Sequence, residues 1–167
     1  MADIASNFTT NRMLIDYENR FYHKLAARKR ELSAEAYRLA REIAAWKRKV
    51  SAAWDQVRIV DVQRVKIDKE AVCVGEKYRF SVTVDIANLR PEDIGVEMVI
   101  ARQIVGGQSV NVTRTIQLKH ARTDNNLATY ELDYTPNEAG TFDVALRIYP
   151  SNPLLPHRMD FALVKWA

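Results

Sequence analysis

Apolar positions follow two different periods along this chain, and the change between them falls near Val57. In the first third, Met13, Tyr17, Phe21 and Leu25 recur every four residues, with Leu14 and Tyr22 widening the stripe. Side chains at that interval share one face of a helix, so the spacing predicts an amphipathic helix. Thr9, Thr10 or Asn11 can cap it, because each side chain accepts from an orphan N–H two or three residues on. The run Arg28-Lys29-Arg30 falls where the negative end of a helix dipole favours cations. Ser33 then offers a fresh N-cap, with Glu35 in the turn behind it. Beyond it Ala36, Leu39, Ile43, Trp46, Val50, Ala53 and Val57 alternate spacings of three and four, with Trp54 beside the seam. This predicts a second helix of about 22 residues, ~33 Å long.

After Val57 the period becomes two. Tyr78, Phe80, Val82, Val84 and Ile86 alternate with polar residues and read as a half-buried strand. Ile94, Val96, Met98 and Ile100 alternate next. Val110, Val112, Ile116 and Leu118 follow a turn at Gly106-Gly107. Tyr130, Leu132 and Tyr134 form a further strand, and "TPNEAG" turns into Phe142, Val144, Leu146 and Ile148. With "VRIVDVQRVKI" before them and "FALVKW" at the end, about seven strands are expected. "HARTDNN" reads as a polar connection, and "LRPEDIG" as a loop with a helical turn starting at Pro91. The predicted class is α+β: an N-terminal helical hairpin followed by an immunoglobulin-like antiparallel β-sandwich. The stretch from Tyr134 to Phe142 resembles the corner between two late strands of such domains.

Composition sharpens the boundary. Residues 1–57 contain no Gly and no Pro, whereas 58–167 contain all five of each. The first segment carries eleven Lys/Arg against seven Asp/Glu, which is the whole net charge of +4; the second carries fourteen of each. Two architectures are therefore expected, 1–57 and 58–167. A basic helix can hold nucleic-acid phosphates, but helix-turn-helix, zinc and RNP patterns are absent. The aromatics also share the apolar stripe and do not alternate with the cations, as a stacking platform would require. A solvated face of long basic side chains is the simpler reading. No stretch approaches the ~20 apolar residues of a membrane span, "MADIASNFTT" is unlike a signal peptide, and Cys73 stands alone. A cytoplasmic protein without disulfides is expected.

Little in the chain points to chemistry. His23, His120 and His157 occur in three unrelated contexts, none with a second ligand at metal spacing. Cys73 has no His or basic helix start beside it to lower its pKa, so it reads as a small buried residue, not a nucleophile. Glu92-Asp93 look like first-turn residues of a short helix. Gly106-Gly107 is a hairpin turn and no phosphate loop. Catalytic, cofactor-binding and metal-binding residues are accordingly assigned as none.

The segment "FTTNRMLIDYENRFY" resembles the helix near the C-terminal end of the catalytic region in α-glucan (glycogen/starch) phosphorylases, a pyridoxal-phosphate-dependent glycosyltransferase family. Phe8, Thr9, Arg12, Met13, Tyr17 and Tyr22 carry the match. "LAREIAAWKRKVSAAWDQVRI" is similar to the helix that follows in a bacterial branch. "LRPEDIGVEMV" and "PLLPHRMDFALVKWA" fit the extra C-terminal β-domain of that branch. The resemblance implies a parent enzyme that releases glucose 1-phosphate from α-1,4-glucan with phosphate. The cofactor-bearing lysine segment of that family lies upstream of this helix and has no counterpart here, so no catalytic residue carries over. Met1-Ala2 would then be a cloned start or a fragment's edge. The expected role is a non-catalytic C-terminal module whose partner is the parent's catalytic core. The apolar arm could also pair with a second copy as a homodimer. A different reading makes the sandwich a carbohydrate-binding module for the parent's glucan. Most of its aromatics belong to core faces, leaving Tyr149 and Trp166 to stack on sugars.

Overall fold

The computed structural model describes residues 9–65, 73–103 and 110–167. They fall into two compact units, one ending at Trp46 and the other running from Lys47 to Ala167.

In the first unit, α1 (Thr10–Tyr17) opens on Thr9, which is extended and accepts from the Arg12 N–H through its hydroxyl at 3.3 Å. Of the three candidate caps, Thr9 does the capping. A π-helical turn, Glu18–Tyr22, follows and leads into α2 (His23–Ala53). This second helix is interrupted: Ala34 is extended, and Glu35, Ala36 and Tyr37 are left-handed at φ 49, 52 and 62. The interruption makes two helical segments, as the periodicity predicts, but its position corrects the sequence reading. Ser33 is no N-cap. Its hydroxyl donates back to the carbonyls of Lys29 at 2.8 Å and Arg30 at 3.2 Å, so it closes the first segment. Serine in a helix takes this alternative because its hydroxyl reaches the carbonyl one turn back. Glu35 and Ala36 lie in the break and not on the second helix.

The second unit begins with the last turns of α2. Val50, Ala53, Trp54 and Val57 are buried, and a 3₁₀ turn, Trp54–Gln56, ends the helical run. The strands are β1 (Arg58–Val65), β2 (Tyr78–Asp85), β3 (Ile94–Gln103), β4 (Val110–Gln117), β5 (Lys119–Asp124), β6 (Leu127–Tyr134), β7 (Asp143–Pro150) and β8 (Lys165–Trp166). They form two antiparallel four-stranded sheets, ordered β1-β2-β6-β5 and β4-β3-β7-β8. The chain passes from one sheet to the other at Leu118, a buried residue whose N–H bonds the carbonyl of Val96 at 2.8 Å. The core between the sheets holds Tyr78, Phe80, Val82 and Val84 from β2 against Val96, Met98 and Ile100 from β3 and Leu146 and Ile148 from β7.

The α+β class stands, with eight strands among the described residues where about seven were expected. The added strand is β5, which occupies most of the stretch read as a polar connection. Every residue of β5 is exposed, so an edge strand lacking a buried face leaves no alternation to read. The Gly106-Gly107 turn lies outside the described residues. No helix among the described residues is long and apolar enough to cross a membrane.

Candidate functional site

Two features of the chain call for a function: a bare apolar helix face in the first unit and a charged clamp in the second. The bare face is made by the stripe read from the sequence. Met13, Leu14, Tyr17, Phe21, Tyr22 and Leu25 are all between 48% and 63% exposed. The π-helical turn gathers the aromatics, since an i→i+5 turn brings residues five apart together. Tyr17 lies 5.7 Å from Phe21 and 6.4 Å from Tyr22, centroid to centroid. The basic residues that first suggested a polyanion partner are interleaved with acids. Arg12 faces Asp16 at 3.8 Å, Arg28 faces Glu31 at 2.7 Å, and Arg38 meets Glu35 at 2.6 Å and Glu42 at 2.8 Å. The Arg38 bonds hold the Glu35 carboxyl below its ordinary pKa.

The second unit buries two carboxylates, each set between cations. Asp93 ends the 3₁₀ turn Pro91–Asp93, is 2% exposed, and meets Arg90 at 3.2 Å and Lys49 at 3.8 Å. The Lys49 contact fastens the end of α2 to the head of β3. Glu97, 3% exposed, stands opposite Arg147 in the β3–β7 register and pairs with it and with Arg158, the latter at 2.7 Å. The aromatic handles close this cluster from outside: Arg147 lies 5.2 Å from the Trp166 ring and Arg158 lies 5.9 Å from the Tyr149 ring. A buried ion pair of this kind is costly to break once formed.

Lys165 completes the clamp. Its ammonium donates to the carbonyls of Trp54 at 2.8 Å, Asp55 at 3.2 Å and Val57 at 2.7 Å. They lie where a helix runs out of its own N–H donors, and the Trp54 carbonyl also accepts from the Val57 N–H at 3.1 Å. A cation at the negative end of the helix satisfies both the orphan acceptors and the dipole. The same ammonium sits 5.9 Å from the Trp54 ring. The C-terminal "VKW" thereby pins the helix exit with one residue and covers Arg147 with the next.

The structure does not bring the other singled-out residues together. His23 lies 3.8 Å from Glu18, and His120 contacts the Thr123 hydroxyl at 2.7 Å and packs edge-on against Tyr130. Cys73 is exposed, which corrects the expectation of a small buried residue. Its N–H donates to the Tyr78 hydroxyl at 2.7 Å, so its backbone, not its thiol, makes the inward contact. Among the described residues no group of three His, Cys, Asp or Glu side chains is placed to hold a metal ion. Of the two candidate sugar-stacking aromatics, Tyr149 is half-buried with its ring over Gly95, while Trp166 is 54% exposed. Sequence reasoning missed Glu97, Arg147, Arg158 and Lys165. Their partners lie 50 to 111 residues away, and no local spacing signals them.

The family model for the glycogen phosphorylase C-terminal domain matches residues 54–167. The chain belongs to that family. Similar proteins include the maltodextrin phosphorylase of Thermococcus litoralis, 30% identical over 167 residues, 98% of this chain and 19% of that protein. The glycogen phosphorylase of Mycobacterium tuberculosis is 28% identical over 160 residues, 94% of this chain and 18% of its own length. The chain therefore spans about a fifth of the length of the curated relatives it matches. Lys165, Glu97, Asp93 and their arginine partners all lie within the region of the glycogen phosphorylase C-terminal domain. The apolar arm precedes it.

Proposed function

We propose that this chain is a non-catalytic docking and stabilising module of an α-glucan phosphorylase, with the arm as the docking element. The observation that carries this reading is the exposed Met13, Tyr17, Phe21 and Leu25 face. At ~25 cal/mol per Å², covering even a few hundred Å² of apolar surface is worth several kcal/mol, so water disfavours leaving it bare. The remaining four fifths of a protein of the relatives' length supplies a surface to cover it. The parent would release glucose 1-phosphate from α-1,4-glucan with phosphate, its pyridoxal phosphate held on that larger part. Cytoplasmic residence goes with that reading.

Two measurements test it. The purified chain should release no glucose 1-phosphate from glycogen and phosphate, and turnover by the chain alone would overturn the proposal. In the full-length polypeptide, Phe21→Glu should lower the melting midpoint and speed proteolytic release of the arm. Unchanged melting and proteolysis would show that the arm docks on nothing there.

Glucan binding by the sandwich is a second reading, favoured by Trp166 alone. Its exposed indole is backed by the Arg147 guanidinium, an arrangement able to present a flat ring to a sugar. Affinity electrophoresis through glycogen decides it: unretarded migration removes the reading.

A further inference from the structure

The arm carries information about the chemistry of what covers it. A shallow concavity on the helix surface is lined by Arg12, Met13, Asp16, Tyr17, Arg20 and Phe21. Within it Arg12 faces Asp16, and Tyr17 and Phe21 pack on each other. Arg20 is exposed and forms no ion pair or hydrogen bond with any described residue. Its guanidinium has five donors in a planar fork that matches a carboxylate bidentately. It stands beside the two aromatic rings that the docking face must desolvate.

We infer that the surface receiving the arm is a protein groove, apolar at its floor for Met13, Tyr17 and Phe21, with an Asp or Glu carboxylate at its rim opposite Arg20. This rests on the proposed docking role and adds the partner's charge to it. Three points on the molecule favour this occupant. An apolar helix face in a groove is an established mode of helix recognition, read through anchors three and four residues apart. Residues 1–57 hold all of the chain's excess positive charge, so an acidic rim is electrostatically complementary. The neighbouring arginines Arg12, Arg28 and Arg38 already have carboxylates of the arm, whereas Arg20, which lines the concavity with Tyr17 and Phe21, has none among the described residues. A charge pair beside desolvated rings is also shielded from water, so it contributes more than an open surface pair.

The test compares the isolated chain with the full-length polypeptide. In the isolated chain Arg20→Glu should leave the melting midpoint unchanged, because the side chain is solvated and unpaired. In the full-length protein the same substitution should lower the midpoint by several degrees. Arg20→Lys should lower it less, because the charge stays while the bidentate fork is lost. The deficit of Arg20→Glu should shrink in about 1 M salt, where the screening length falls to ~3 Å. If Phe21→Glu destabilises the full-length protein and Arg20→Glu does not, the acidic rim is wrong and the docking role stands. If neither substitution has an effect, both fall. A deficit for Arg20→Glu that is equal in the isolated chain and in the full-length protein would assign Arg20 to internal stability and overturn the inference.

Discussion

Replacing Lys165 by methionine isolates the clamp, because it keeps the unbranched stem and removes only the ammonium. Three carbonyls then lose their donor. The Asp55 carbonyl is exposed and returns to water at little cost, but the bonds to Trp54 and Val57 are partly buried. The Trp54 carbonyl still accepts from the Val57 N–H at 3.1 Å, so the Val57 carbonyl is the buried acceptor left unsatisfied, at about 1–3 kcal/mol, against which the substitution recovers some desolvation and side-chain entropy. The net loss is about 1–2 kcal/mol. For a unit of this size that corresponds to roughly 3–10 °C in melting midpoint, at ~3–5 °C per kcal/mol. Urea unfolding followed by tryptophan fluorescence reads it directly, since Trp54 adjoins the lost charge. Lys165→Arg should fall between, because a planar guanidinium cannot direct donors to three carbonyls converging on one point. Hydrogen exchange should localise the damage to the 3₁₀ turn and the start of β1. A stability within ~0.5 kcal/mol of the native chain, the range of ordinary surface substitutions, would refute the clamp.

Further outcomes follow from the same packing. Glu97→Ala should cost about 2–4 kcal/mol in urea unfolding, because it strands two arginines, with Glu97→Gln milder; equal stability would mean that the arginines are held by other groups. Gly95→Ala places a Cβ 2.5 Å from Cζ of Tyr149, so the ring must move at a cost of about 1–3 kcal/mol, and a Tyr149→Ala background should relieve most of it in thermal melts. Tyr130→Phe removes the hydroxyl that donates to the Pro91 carbonyl at 2.8 Å, a loss of about 1 kcal/mol at neutral pH. Burial, with Glu92 and Asp93 adding to it, raises the Tyr130 pKa in the folded state. The proton is therefore held more tightly folded than unfolded, so this stability is fully present below about pH 10, the unfolded value, and is lost as pH rises above it. The alkaline limb of the stability curve should flatten in Tyr130→Phe, and an unaltered limb would assign it to other groups.

The legibility of this chain divides along physical lines. Where one face of an element is buried and the other wet, period alone names it. This is why β2, with its strict alternation from Tyr78 to Val84, was readable in the sequence. The second helix was readable for the same reason through Trp46, Val50 and Ala53, and the stripe from Met13 to Leu25 because its apolar and polar residues take opposite helix faces, although that stripe is exposed here. The family resemblance was legible too, because motif residues are local. Period fails when both faces share one environment. β3 is buried on both faces through Ile94–Ala101 and β5 is exposed on both; only the first is apolar enough to stand out. Ser33 was ambiguous because one hydroxyl can cap the helix ahead or bond the turn behind, and that choice depends on where the backbone breaks. Long-range charge pairing was invisible altogether. Nothing near Lys165 in sequence marks three carbonyls about 110 residues earlier, and Glu97 meets Arg147 and Arg158 only because β3 pairs with β7 and the 3₁₀ turn Arg158–Phe161 lies beside them. The sequence by itself determined which faces are apolar, where helix gives way to strand and which family the chain resembles. Only the tertiary structure decided which charges meet, because that depends on sheet order and register, and period carries no information about either.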